Sequence, residues 1–254
     1  MSAETTIRVL TLNSHQGFSA HGRHAALSQI RDGLRAAAAD LVFLQEVGVA
    51  DGSGLAGAQY EFLADQVWSQ YAYGRNAATT RGHHGNALLS KYPIVSWRNV
   101  DVSVGASEPR GMLHCVLDVP DAGRTLHAVC VHLALREAHR QQQVERLLRL
   151  VADEIPADAP LVIAGDFNDW RGHAHRRLTG DRMLEEIHAG PDGRPARTFP
   201  ARLPLLRLDR IYVRDLGHRP LAMPRHPWAT LSDHAPLAGD LRIRPGSCNH
   251  LPHG

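Results

Sequence analysis

The sequence predicts a mixed α/β domain, and three observations carry that prediction. Short apolar runs of strand length recur along the chain and end in polar residues. Between them lie segments whose apolar residues return at helical spacing. Two longer strand-like runs, Arg110 to Val119 and Thr125 to Leu133, are joined by Pro120-Asp121-Ala122-Gly123, a hairpin that a purely parallel sheet would not contain. A chain of 254 residues with 43% hydrophobic content can bury a substantial core, so one domain over 1–254 is expected, with Pro245 to Gly254 as a loose tail.

The elements follow in order. Ile7 to Leu12 alternates apolar and polar residues, as a half-buried strand does, and ends at Asn13-Ser14-His15. From Arg23, the stripe Leu27, Ile30, Leu34 with Ala37 and Ala38 predicts a helix. Asp40 to Leu44 is a strand closed by Gln45-Glu46. Tyr60 to Trp68 reads as a shorter helix, and Asn86 to Ser90 as a strand. Arg136 to Ile155 is the clearest helix, with Val144, Leu147, Leu148, Val151 and Ile155 on one face and Pro156 as its stop. Leu161-Val162-Ile163-Ala164 is a short buried strand broken by Gly165. Helix is expected over His173 to Ile187, irregular chain over the proline- and arginine-rich Pro191 to Pro204, and strands over Leu208 to Val213 and Ala235 to Ile243.

Composition narrows the function. With 28 basic and 26 acidic side chains the net charge is +2, which does not suit a strong nucleic-acid binder but leaves a small anionic substrate open. The three cysteines, Cys115, Cys130 and Cys248, have no zinc-ligand spacing. Two sit inside apolar runs as buried thiols, which fits a reducing compartment. No charged and apolar leader opens the sequence and no run reaches the ~20 apolar residues of a membrane span, so a cytoplasmic protein is expected.

Polar groups stand at six strand ends: Asn13, Gln45-Glu46, His132, Asp166 with Asn168, Asp209, and Ser232-Asp233-His234. Gathered at one sheet edge, they make a site for hydrolysing a phosphate ester. Glu46 and Asp233, with Asn13, are oxygen ligands suited to Mg2+ or Mn2+. Such a cation polarises the phosphoryl oxygen and offsets charge on the leaving oxygen. Asp166 suits the orientation and deprotonation of a water, and Asn168 donation to the phosphate. His132 and His234 suit proton transfer or charge-assisted bonds. Asp209 suits the holding of an imidazole in one tautomer. His84, Asn86 and Arg110 are further candidates for lining the cleft and contacting phosphate.

The motifs Thr11-Leu12-Asn13, Leu44-Gln45-Glu46, Val131-His132-Leu133, Gly165-Asp166-Phe167-Asn168, Leu208-Asp209-Arg210-Ile211 and Ser232-Asp233-His234-Ala235-Pro236 resemble, in that order, the endonuclease/exonuclease/phosphatase superfamily that includes DNase I. The resemblance spans Ile7 to Leu241. It implies a four-layer α/β sandwich, two mixed sheets face to face with helices outside, and divalent-metal hydrolysis of phosphoesters by in-line attack of water. His83-His84-Gly85-Asn86-Ala87, Arg136-Glu137-Ala138-His139-Arg140 and Arg197-Thr198-Phe199-Pro200 resemble a bacterial subgroup without an assigned substrate. Nucleic acid, a lipid headgroup and a small diester all remain open as the substrate, and no obligate protein partner is implied.

Each residue also has a plainer reading. Glu46 can be a solvated strand end, His132 a satisfied core histidine, Asn13 a helix cap and Asp233-His234 a turn. His84 and Asn86 can belong to a surface loop, Arg110 can pair with Glu108, Arg197, Arg202 and Arg207 can contact an anionic substrate or simply keep their loop soluble, and Trp170 can pack rather than stack on a ligand. Six such coincidences in family order are far less economical than one site.

Overall fold

Alternation along the strands decides the architecture. In the computed structural model, which describes residues 4–15, 23–50, 59–79, 82–105, 108–180 and 183–246, Val9 points into one hydrophobic cluster and its neighbour Leu10 into another. Val162 and Ile163 divide in the same way. Successive side chains of a strand face opposite sides, so strands apolar on both faces must be covered on both.

The strands, in chain order, are β1 (Thr5–Asn13), β2 (Leu41–Ala50), β3 (Gln70–Thr79), β4 (Gly82–Ser90), β5 (Ile94–Asp101), β6 (Gly111–Val119), β7 (Arg124–His132), β8 (Leu161–Asp166), β9 (Glu185–Glu186), β10 (Asp209–Arg214), β11 (Gly217–Leu221) and β12 (Leu237–Ile243). The helices are α1 (Arg23–Ala37), α2 (Gln59–Gln66), α3 (Glu137–Glu154), α4 (His173–Thr179) and α5 (Trp228–Leu231). Among the described residues the strands form two six-stranded sheets, ordered β11-β12-β1-β2-β4-β3 and β5-β6-β7-β8-β10-β9. Both are mixed: β1 runs parallel to β2 and β7 parallel to β8, while the other pairs are antiparallel.

The inner faces meet through Ile7, Phe43, Leu113, Cys115, Leu126 and Val162. On the outer face of the first sheet, Leu10, Val42 and Leu44 pack on Ile30 and Leu34 of α1, Leu63 of α2 and Trp228 of α5. On the outer face of the second, Val129 and Ile163 pack on Val144, Leu147 and Val151 of α3 and Leu178 of α4. The result is helix, sheet, sheet, helix: the four-layer α/β sandwich that the family resemblance implies. No helix among the described residues is long and apolar enough to cross a membrane. Cys115 and Cys130 are free and buried, and burial pushes the Cys130 thiol up to about 12.

Three local expectations change. Helix is confined to His173–Thr179 of the expected 173–187 span. Leu184 and Ile187 mimic helical spacing, yet Glu185–Glu186 pairs with Val213 and Tyr212 as the short edge strand β9. Strands β3, β5 and β11 carry no strong strand pattern. The edge strand β5 buries little of itself, so its sequence is under weak apolar constraint. The strand expected to close at Gln45-Glu46 continues to Ala50 through a bulge. The tail expected over 245–254 lies outside the described residues from 247 onward.

Candidate active site

Register places the chemistry. In the second sheet β8 is flanked by β7 and β10, and Asp166 is the partner of His132 on one side and of Asp209 on the other. Three ionisable residues from three strand ends thus lie in one row. Gly165 makes the row possible. Its φ is +146°, and a Cβ there would collide with the carbonyl oxygen of Val131, so only glycine lets the end of β8 lie this close to β7.

The first sheet supplies the opposing wall. Asn13 ends β1 beside Gln45 of β2. The β2–β4 register runs Leu44↔Ala87 and then Val47↔Gly85, so Gln45 and Glu46 together face Asn86. Such a two-against-one bulge re-aims side chains. Glu46 takes a left-handed φ of +55°, unusual for a residue with a Cβ, and strain of this sort gathers at functional sites. Gln45 turns inward, fully buried, with Nε2 donating to Thr11 Oγ1 at 3.2 Å.

The two walls meet at the Asp166 carboxylate, which is 1% exposed. Its Oδ2 accepts from Asn13 Nδ2 at 3.1 Å and lies 3.5 Å from His132 Nε2 and 3.9 Å from His234 Nε2. Its Oδ1 accepts the backbone N–H of Asn168 at 2.9 Å, and Asn168, at φ +50°, adds a long Nδ2 contact of 3.4 Å to Oδ2. Glu46 Oε1 accepts from Asn13 Nδ2 at 3.3 Å and stands 3.9 Å from His132 Nε2. His234 Nδ1 pairs with Asp209 Oδ2 at 2.9 Å.

The two imidazoles differ in charge. Burial holds His132 well below the usual histidine range, and the neighbouring Arg110, His234 and His84 push the same way, so it is neutral. Burial also works against charge on His234. There the Asp209 carboxylate, by charge and by hydrogen bond, together with Asp166 and Asp233, overcomes it and carries the pKa to about 10. His234 is an imidazolium at neutral pH. Asp166 is raised by burial and by Asp209, against the pull of His234.

Several candidates take roles other than those their types suggested. Asn86 does not offer donors to a phosphate. Its Nδ2 donates to Gly111 O at 2.9 Å and Cys130 O at 3.3 Å, tying the first sheet to the second, while Oδ1 is buried without a partner among the described residues. A carbonyl oxygen repels an anion. Asn168 likewise commits Nδ2 to Leu133 O at 3.0 Å, so it orients Asp166. Arg110 donates to Glu108 Oε1 at 3.0 Å and to the Leu133 and Pro109 carbonyls, and reaches the site by its charge alone. Asn13 Oδ1 accepts the N–H of His15, and its Nδ2 donates to the Glu46 and Asp166 carboxylates, bridging them. Asp233 is half-exposed and lies 3.5 Å from His15 Nδ1. Among the described residues the tight grouping of possible ligand atoms is Asp166, Asp209 and His234, within 4.8 Å of one another, without Glu46 or Asp233. His84 is near enough to Glu46 to feel its charge, while burial, the larger influence, lowers its pKa.

Supporting residues escaped the sequence reading. Thr198 Oγ1 accepts the N–H of Asp209 at 3.2 Å. Ser232 Oγ donates to Asn13 O at 2.6 Å and accepts the N–H of His234 at 3.1 Å, fastening the loop before β12 to the end of β1. The Phe199 ring lies 5.1 Å from the imidazole of His234. Buried Asp169 accepts the N–H groups of His173 and His175 at 2.9 Å and anchors α4 behind the site. The available signal was their place in or beside the motifs: Ser232 stands inside one, and Thr198 and Phe199 form Arg197-Thr198-Phe199-Pro200.

Residues 10–234 match the model of the endonuclease/exonuclease/phosphatase family. The chain belongs to that family. It is 48% identical over 246 residues to YbhP of Escherichia coli K12, a protein of uncharacterized function, covering 94% of this chain and 97% of YbhP. Its fold is similar to that of an endonuclease/exonuclease/phosphatase from Beutenbergia cavernae (TM-score 0.76, 23% identity, 94% of this chain and 72% of that one). It is also similar to the catalytic domain of human nocturnin (TM-score 0.74, 20% identity, 94% and 96%).

Proposed function

We propose that this member of the family hydrolyses phosphoesters, phosphodiesters foremost, with the help of Mg2+ or Mn2+. One observation carries the reading. A buried carboxylate, Asp166, is held between a neutral imidazole and a cationic one, with Glu46 on the same side. An apolar core does not assemble such a group without a use for it, since burying charge is costly.

The donor set fits a hard cation. Carboxylate oxygens of Glu46, Asp166 and Asp209 dominate it, and Asp209 Oδ1 is buried with no hydrogen-bond partner among the described residues. Glu46 would hold the ion, with Asn13 joining it once its amide turns its oxygen inward. When bound, the cation supplies Lewis-acid polarisation of a phosphoryl oxygen. The rest falls to the chain. Asp166, its basicity raised by burial, takes the proton of an attacking water. His234, kept charged by Asp209, donates to the phosphoryl or leaving oxygen. His132 Nε2, on a neutral ring, holds a second oxygen without adding charge. Asn168 and Asn13 keep the carboxylates in place.

The purified protein should cleave bis-p-nitrophenyl phosphate with Mg2+ or Mn2+, and EDTA or Asp166→Ala should abolish the rate. Full activity in Asp166→Ala overturns the assignment. So does tight metal-dependent ligand binding with no turnover on any ester of a broad panel, which would mark a binding module.

A further inference from the structure

Loop 199–207 stands directly on the candidate site. The Phe199 ring lies against His234, the N–H of Ala201 donates to Asp233 O at 2.7 Å, and the N–H of Ala235 donates to Thr198 O at 2.8 Å. The loop has its own fixed shape. Phe199 O accepts from both Leu205 N at 2.8 Å and Leu206 N at 2.7 Å, and Leu203 N donates to Pro200 O at 3.0 Å. This well-fastened segment turns three leucines outward: Leu203 is 66% exposed, Leu205 56% and Leu206 40%. Single exposed leucines are ordinary, but three within four residues, on a hydrogen-bonded loop beside a site, mark a contact surface.

What the surface meets is indicated by charge. Arg197, Arg202 and Arg225 are exposed around the leucines, and Arg207 stands at the base of the loop. Leu203 also walls a groove of about 410 Å3 floored by Ala201, Leu221, Met223 and Trp228, with Arg197, Arg202 and Arg225 on its sides. An exposed apolar loop with guanidinium groups beside Leu203 suits an interface that is hydrocarbon below and anionic above. Nucleic acid would use the arginines and leave the leucines in water.

We infer that loop 199–207 seats the protein on an anionic phospholipid surface, so that the ester brought to Asp166 and His234 belongs to a lipid headgroup. The inference rests on the phosphoesterase reading for its chemistry, but the seating is measurable without it. The whole chain should sediment with phosphatidylglycerol vesicles and bind them about tenfold or more tightly than phosphatidylcholine vesicles, with salt weakening the difference. Leu203→Ser with Leu205→Ser should weaken binding to both lipids about a hundredfold or more, since each buried leucine is worth about tenfold at least. Arg197→Gln with Arg202→Gln should reduce the preference for phosphatidylglycerol. Both double variants should keep the thermal midpoint of the parent and its rate on bis-p-nitrophenyl phosphate.

Failure of the parent to bind vesicles overturns the inference, as does binding unchanged in the leucine variant. Sedimentation velocity showing a dimer that the leucine substitutions dissociate assigns the loop to a second copy and overturns it too. A parent that hydrolyses soluble diesters yet ignores vesicles refutes the seating alone. A parent that binds vesicles through the leucines yet cleaves no ester supports the seating and refutes the proposed chemistry.

Discussion

His132 and His234 face the same carboxylate from two sheets, yet one is neutral and the other cationic. His132 ends β7, enclosed by strands, with Arg110, His84 and His234 as its electrostatic neighbours. His234 lies in the loop before β12, with Asp209 at 2.9 Å on its far nitrogen. Desolvation opposes the charged form in both. The difference is one carboxylate, presented by the strand next to Asp166 and steadied through Thr198. Burial makes a histidine neutral, and a buried carboxylate can reverse that outcome.

The most severe way to break the arrangement is to remove what both rings face. Asp166→Asn keeps the shape of the side chain but cannot take a proton, and the rate on bis-p-nitrophenyl phosphate should fall by about 10^3 or more. Next comes the carboxylate that separates the two rings. With Asp209→Asn, burial acts on His234 with less opposition and its pKa falls from about 10 toward or below neutrality. The imidazolium is then lost as pH rises through that lower value. The rate should drop by about 10^2 at pH 8 and by less at pH 6, with the alkaline limb of the pH profile moved downward. The NMR titration of His234 must move with it; a rate loss equal at both pH values would show that charge on His234 is not what Asp209 maintains. His132→Leu removes a neutral donor, so a loss of about tenfold should be seen at every pH, with no shift of the profile.

How much of this was legible in the sequence can be argued from the same residues. Asp166, Asp209 and His132 were readable because each stands at one end of a short apolar run, and register then aligns them. Asn86 misled. Its place before Ala87-Leu88-Leu89 marks a strand start, but only the packing of two sheets shows that its donors face Gly111 O and Cys130 O. Glu46 was readable as an acid at a strand end. The bulge and the left-handed φ that aim it were not, because they arise from the β2–β4 register. Edge strands β5 and β11 were missed for a related reason: a strand half in water owes little of its sequence to a core. The charges of the two histidines lay beyond any motif, since they depend on distances between segments far apart in the chain.

A pair of histidines away from the site offers the control, and the smallest effect. His114 Nε2 and His127 Nδ1 lie 3.0 Å apart on β6 and β7, both rings nearly buried. Burial and the neighbouring ring lower His114 to about 4, and burial with the charge of Arg214 lowers His127. A base whose pKa is depressed in the folded state binds fewer protons there than in the unfolded chain. Its stabilising effect is therefore complete above the unfolded value of about 6.5 and is lost as pH falls toward 4. His114 alone should cost about 1 kcal/mol of stability between pH 7 and pH 5.5. In urea unfolding at those two pH values, His114→Phe with His127→Leu should lose less stability on acidification than the parent does. Equal acid sensitivity would mean that burial without a carboxylate does not disfavour the charged form of these rings, and Asp209 would then not be what separates His234 from His132.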